Sequence, residues 1–382
     1  MAAAPRARIR DGHVGFHEGM ALLVLFLSIK LFLVFPQSMA EVGLTAGWMI
    51  PLAAAAVATV AFWPTAALLA AFPGRSIVEI AGRLLGPAGA LLLGVATSGL
   101  LLSLFAIITR EFAGALITAI LRETPISVVM GVFMGVAVMG AYKGIEPIAR
   151  TCWLLAPWLM LGVAVDLVLV LPWAKLYGLR PLWGPGPLRL ALVALPQSGI
   201  MSEVALLGVV APFLRTRSTP GRLGMASIWL SAALMAWVVA TFLIVFPPPT
   251  AAETPFPLGQ MARLIFLGRF VQRLESIFLF LWTIGGMLGL MAALYGAAVS
   301  LAQGLGLPVY RPRVVPLALV AYALAFLPGS LPEAATWELT VLRPASPLVA
   351  FALPALLWAC WAARRGRGGS GTKGCRSGGK PG

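Results

Sequence analysis

The sequence predicts an all-α integral membrane protein of ten transmembrane helices, and three observations carry that prediction. Of the 382 residues, 60% are hydrophobic and only 11% are charged, against about 25% charged in a soluble globular domain. Apolar runs long enough to cross the hydrocarbon core, about 20 residues each, recur along the whole chain. Proline and glycine mark the connections between them, as at Pro73-Gly74, Gly86-Pro87, Thr124-Pro125 and Pro247-Pro248-Pro249, where they end one helix and turn the chain. The mean hydropathy of +0.94 leaves hardly any polar face, so the net charge of +15 does not read as a nucleic-acid footprint.

In chain order the runs fall at residues 17–39, 47–72, 88–118, 125–142, 148–171, 189–212, 223–247, 276–302, 314–331 and 345–363. The third is too long for one upright crossing and is expected to tilt or to carry a turn outside the bilayer. The membrane domain is therefore 17–363, flanked by an N-terminal segment, 1–16, and a basic Gly/Ser-rich tail, 364–382. An even number of spans puts both termini on one side. With that side cytoplasmic, 18 of the 28 basic residues lie inside and 8 outside, Arg343 among the latter, while Lys30 and Arg110 fall within spans. The positive-inside rule favours this orientation. Reading the N-terminus as a cleaved leader is disfavoured by Lys30 and by the length of the first run.

Catalytic patterns are scarce. His13 and His17 sit at the edge of the first span, and Cys152, Cys360 and Cys375 are far apart. No zinc, phosphate-loop or paired-carboxylate pattern is present, so no enzyme activity, metal or cofactor is expected. Charged groups inside spans are more informative, since each costs about 2.5–3.5 kcal/mol on insertion scales and persists where it has a partner or a cavity. Lys30 lies deep in the first span. Glu203 lies mid-way along the sixth, beside Pro196, Gln197, Ser198, Gly199 and Ser202, residues that weaken the helix where it would have to face protein or a cavity. Arg110-Glu111 is expected to mark emergence of the third span from lipid, and Asp166 to lie at the interface.

Pro-Gln-Ser at 36–38 recurs at 196–198. Two interrupted apolar segments at corresponding places in two five-span halves, 17–171 and 189–363, point to an inverted-repeat transporter-like bundle with its ligand between the breaks in helices one and six.

Further stretches resemble one known family. They are Gly144-Ile145-Glu146-Pro147-Ile148-Ala149-Arg150 before span five, and Phe72-Pro73-Gly74-Arg75-Ser76-Ile77-Val78-Glu79 with Leu85-Gly86 after span two. Thr124-Pro125 and Arg273-Leu274-Glu275-Ser276-Ile277, followed by Trp282, add to them. The chain resembles the spore germination permeases, the B subunits of bacterial germinant receptors, in the amino acid–polyamine–organocation superfamily. That resemblance implies a five-plus-five inverted repeat in the spore inner membrane. It implies an A-type membrane subunit and a C-type lipoprotein as partners, and a small germinant, an amino acid, as ligand. The pocket it implies comprises Ser28, Ile29 and Lys30 in span one, Ser98 and Ser103 in span three, Gln197, Ser198, Gly199, Ser202 and Glu203 in span six, and Trp282 and Thr283 in span eight. An amino acid permease working by alternating access, proton-coupled through Glu203 or Lys30, is the alternative.

One departure stands out. Typical members carry glycines at the first break, where backbone N–H groups receive the ligand carboxylate, whereas Ser28-Ile29-Lys30-Leu31 has none. Lys30 stands there as a side-chain cation or at a coupling-cation position. Glu146 and Arg150, one helical turn apart, are expected to form a surface pair of structural value only.

Overall fold

The computed structural model describes residues 9, 11–215, 220–254, 256–265 and 274–369, without the side chains of 274–277 and 366–369. Arg6, Arg8, Arg10, Arg217, Arg269, Arg273, Cys375 and the tail from 370, all placed by the sequence reading, lie outside those residues, as do the side chains of the Leu274-Glu275-Ser276-Ile277 landmark. Among the described residues there is no β-strand. The one bridge, Val14 with Leu214, ties the segment before the first helix to the far end of the sixth apolar run.

The elements are α1 (Phe16–Ser28), α2 (Phe35–Gly43), α3 (Met49–Ala71), α4 (Ile77–Leu84), α5 (Gly86–Ala119), α6 (Ile126–Lys143), α7 (Ile145–Leu169), α8 (Pro187–Gln197), α9 (Ala205–Val210), α10 (Pro220–Val245), α11 (Pro248–Glu253), α12 (Pro257–Leu264), α13 (Leu274–Gly304), α14 (Val314–Leu324), α15 (Leu331–Trp337), α16 (Arg343–Pro347) and α17 (Leu353–Gly369). Among the described residues eight helical segments are long and apolar enough to span a membrane, and a ninth is the bent pair Phe16–Phe32 and Phe35–Ala46. The protein is an integral, multi-pass membrane protein. Local chemistry sets the boundaries. The Ser76 hydroxyl accepts from the Glu79 N–H at the start of α4 and Ser330 does the same from Glu333 before α15, satisfying N–H groups that have no helical partner.

Two spans are interrupted. After α1 the chain tightens into a 3₁₀ turn at Ile29–Phe32 and restarts as α2, with a bend of 69°. Pro36 sits in the first turn of α2, where its missing N–H costs nothing. In the sixth run α8 gives way at Pro196 and Gln197 to a 3₁₀ stretch, Ser198–Val204, before α9 resumes. Every residue of that stretch is buried, so its irregular backbone faces protein, as the absence of water in the bilayer requires.

The long α5 lies against α13 at the centre of the bundle, α3 against α10, and α1 against α7 and α10. Gly94 allows the first of these contacts, since a Cβ there would stand 2.7 Å from the Gly304 Cα.

The C-terminal quarter differs from the sequence reading. The ninth run forms only the short α14, and the tenth span starts at Leu331 rather than 345, running without a break to Arg365. Its turns at Glu338–Leu342 and Leu348–Ala352 are π-helical. Such turns absorb the hydrogen bonds that Pro344 and Pro347 do not make. Arg343, expected in an outer loop, is therefore inside a helix and 3% exposed.

Candidate functional site

Both interruptions meet at a buried ion pair. The Lys30 ammonium donates to Glu203 Oε1 at 2.5 Å and to the Ile200 carbonyl at 2.6 Å. That carbonyl belongs to the 3₁₀ stretch, whose turn leaves it open to a side-chain donor. Lys30 and Glu203 are 4% and 1% exposed, so neither charge is solvated and each requires the other.

A cavity of about 10 Å³ opens beside the pair, on the scale of a single water. Its charged walls are Lys30, Glu203, Glu111 of α5 and Glu338 of the π-helical turn after α15. Leu104, Ile107 and Ile108 of α5, with Leu342, complete it. Glu111, expected at the edge of the bilayer, is 1% exposed, and its neighbour Arg110 is 8% exposed. Arg110 turns away and donates to the carbonyls of Pro328 and Gly329. Glu338 Oε1 accepts from Arg343 Nε at 3.0 Å, and Arg343 Nη1 reaches Gln197 Oε1 at 3.4 Å. The guanidinium also lies over the Phe35 ring, 5.3 Å from its centroid, a cation–π contact. Five ionisable groups thus converge where the sequence reading placed two.

Hydrogen bonds tie each interrupted segment to a neighbouring helix. Trp282 Nε1 donates to the Ile29 carbonyl at 3.1 Å, and Ser202 Oγ to Ser346 Oγ at 2.8 Å. Gly199 lets its backbone touch α16, since a Cβ there would collide with the Arg343 carbonyl. An aromatic cluster packs at the first interruption, with the Phe32 ring 6.2 Å from Trp282 and 6.3 Å from Phe112.

Of the residues singled out from the sequence, Lys30, Glu203, Ile29, Trp282, Gln197, Gly199 and Ser202 belong to this assembly. Ser28 is buried beside it. Ser198 Oγ and Thr283 Oγ1 instead donate to carbonyls of their own helices, Leu195 and Leu279. Ser98 is 13 positions before Glu111 on α5, about 20 Å along the helix. Ser103 lies outside the cavity, whose α5 wall begins at Leu104. Asp166, expected at the interface, is 4% exposed within α7 and borders a different cavity, with Ile265 and Phe278.

Glu111, Glu338, Arg343 and Ser346 are the site residues that sequence reasoning missed. For Glu111 a signal existed, because Leu104, Ile107, Ile108 and Glu111 follow the i, i+3, i+4, i+7 spacing of one helix face.

At one end of the bundle the chain before α1 is clamped. The Val14 N–H donates to the Phe213 carbonyl and the Arg215 N–H to the Val14 carbonyl, both at 2.9 Å. The His13 N–H donates to Glu146 Oε2 at 2.9 Å, and Arg150 pairs with the other Glu146 oxygen. The Tyr310 hydroxyl donates to the Ala141 carbonyl at 3.2 Å and approaches Asp11 Oδ2 at 3.4 Å. Burial, with Asp11 beside it, pushes this hydroxyl up to about 12, so it remains a neutral donor.

A family model described as spore germination protein matches residues 13–333. The chain belongs to that family. Spore germination protein KB of Bacillus subtilis (strain 168) is 25% identical to it over 296 residues, 76% of this chain and 79% of that protein. Among solved structures, the nucleobase-cation-symport-1 family transporter Mhp1, in a closed conformation with bromovinylhydantoin bound, superposes with a TM-score of 0.67 at 15% identity, covering 94% of this chain and 95% of its own. MhsT in complex with L-phenylalanine gives 0.68 at 16% identity, covering 94% and 90%. This spore germination family member therefore has the fold of those transporters.

Proposed function

We propose that the protein is the nutrient-sensing B subunit of a spore germinant receptor, with its ligand site at the Lys30–Glu203 pair between the two interrupted spans. The observation that carries this reading is the pair itself. A free amino acid bears one ammonium and one carboxylate, the same two charges. A zwitterion can therefore part Lys30 from Glu203 and satisfy both, its carboxylate on Lys30 and its ammonium on Glu203, without stranding a buried charge. The Trp282, Phe32 and Phe112 rings offer an apolar surface for the ligand side chain. Because the cavity in this conformation is far smaller than an amino acid, ligand entry requires the bundle to open. A ligand that favours the open state shifts that equilibrium, which is the step a receptor needs.

In this proposal the bundle is a ten-span, five-plus-five inverted repeat in the spore inner membrane, with α14 as a short ninth crossing and both termini cytoplasmic. It works with an A-type membrane subunit and a C-type lipoprotein, and performs no enzymatic step. The fold shared with transporters favours a second reading, an amino acid permease. Proteoliposomes carrying the purified chain separate the two. A receptor subunit binds labelled amino acid without gradient-driven accumulation, and sustained accumulation independent of partner subunits overturns the sensor. Lys30→Met and Glu203→Gln are each expected to shift the germinant concentration dependence of spores while the protein still inserts. An unchanged dependence in both removes these residues from the pocket.

A further inference from the structure

Charge bookkeeping in the core does not close. Three carboxyl groups, Glu111, Glu203 and Glu338, and one cation, Lys30, border one water-sized cavity, and a second cation, Arg343, stands behind it on Glu338. Arg110 does not restore the balance, because it is engaged with the Pro328 and Gly329 carbonyls. Lys30 takes Glu203 through Oε1, and Arg343 takes Glu338 through Oε1. Among the described residues Glu111 forms no ion pair with a cation of its own. Its Oε1 and Glu338 Oε2 are buried and receive no hydrogen bond from any N–H or O–H of the described residues, and the two side chains line the same cavity of about 10 Å³. Two ionised carboxylates have only acceptors to offer each other, so two carboxyl groups with unpartnered oxygens on the wall of one water-sized cavity lack a donor that a proton would supply. One hydrogen ion between them both supplies the missing donor and removes the excess negative charge. Among the described residues no group of three His, Cys, Asp or Glu side chains could hold a metal ion, and a cavity of about 10 Å³ has no space for a hydrated cation.

We propose that Glu111 and Glu338 form a proton site, one hydrogen ion held between a carboxylic acid and a carboxylate while the bundle is closed. When the cavity opens to water, the acid O–H bond breaks and the proton passes to solvent, leaving two solvated carboxylates. The site is distinct from the Lys30–Glu203 pair and does not depend on what that pair binds.

Infrared spectroscopy of the purified full chain in lipid tests this through the C=O stretch of a protonated carboxylic acid. An Asp166→Asn background removes the fourth buried carboxyl of the described spans. At neutral pH the background protein is expected to show the band. Glu111→Gln and Glu338→Gln are each expected to abolish it, because the new amide N–H replaces the proton as donor and lets the remaining carboxylate ionise. Glu203→Gln is expected to keep it. Absence of the band at neutral pH, or its loss in Glu203→Gln with retention in Glu111→Gln, overturns the proposal. If the Gln variants fail to insert, unfolding in detergent decides on the Asp166→Asn protein alone. A native state holding a proton that the unfolded chain has released loses stability as pH rises, so the melting temperature must fall between about pH 5 and 8, and a flat profile overturns the site.

Discussion

Two cation–carboxylate pairs hold this molecule at different depths, Lys30–Glu203 in the core and Arg150–Glu146 at one end of the bundle. The side chains of the first are 5% and 2% exposed, those of the second 59% and 27%. The first joins residues 173 positions apart, the second an i, i+4 pair on one helix. Charges of the same type do different work because of the medium around them. In water each partner of the outer pair is solvated with or without the other, so the pair adds little. In the core each partner's desolvation is offset only by the other, so the pair fixes how the two interrupted spans meet.

The largest effect is expected where that dependence is severed. Lys30→Met leaves Glu203 as an uncompensated buried charge and is expected to cost about 3–5 kcal/mol, read from thermal unfolding in detergent. Lys30→Met combined with Glu203→Leu removes both charges and is expected to recover most of the loss. A single variant no worse than Arg150→Gln would mean that depth does not separate the two pairs.

Next comes the backbone that lets the core pair form. Gly199→Ala sets a methyl against the Arg343 carbonyl, and relieving that overlap is expected to cost about 1–3 kcal/mol. Ser202→Ala removes the hydroxyl donor to Ser346 and is expected to cost about 1 kcal/mol. Both belong to the interrupted sixth span. If Ser202→Ala proved the more severe, hydrogen bonding and not close approach would be what seats that segment.

The comparison also explains what could be read in advance. Apolar run lengths gave spans two to eight to within a few residues, and proline and serine marked both interruptions, with a glycine at the second. Lys30 and Glu203 were visible because a charge inside a long apolar run has few explanations. Glu338 and Arg343 were not, because Arg343-Pro344-Ala345-Ser346-Pro347 has the composition of a loop. Only packing against Gly199 and Phe35, together with the π-helical turns, keeps it helical and buried. Glu111 was misplaced because Arg110 beside it looked like an interfacial partner. On a helix, consecutive residues point to different faces, and here one faces the Pro328 and Gly329 carbonyls while the other faces the cavity. Partnerships between distant segments are tertiary facts that spacing within one helix does not encode.

The outer pair should show the smallest effect and test the contrast from the other side. Arg150 donates to Glu146, while Glu146 also accepts from the His13 N–H, so losing the arginine leaves the carboxylate with a backbone donor and with water. Arg150→Gln is therefore expected to leave the melting temperature unchanged within error, and what little it changes should vanish in high salt, which screens exposed charges. Glu146→Gln should differ from it, because an amide oxygen accepts from the His13 N–H less strongly than a carboxylate does. That loosening is expected to appear as faster hydrogen exchange at the amides of Val14 and Arg215, with no change in global unfolding. Equal exchange in both variants would show that the ion pair, not the backbone hydrogen bond, secures the segment ahead of α1.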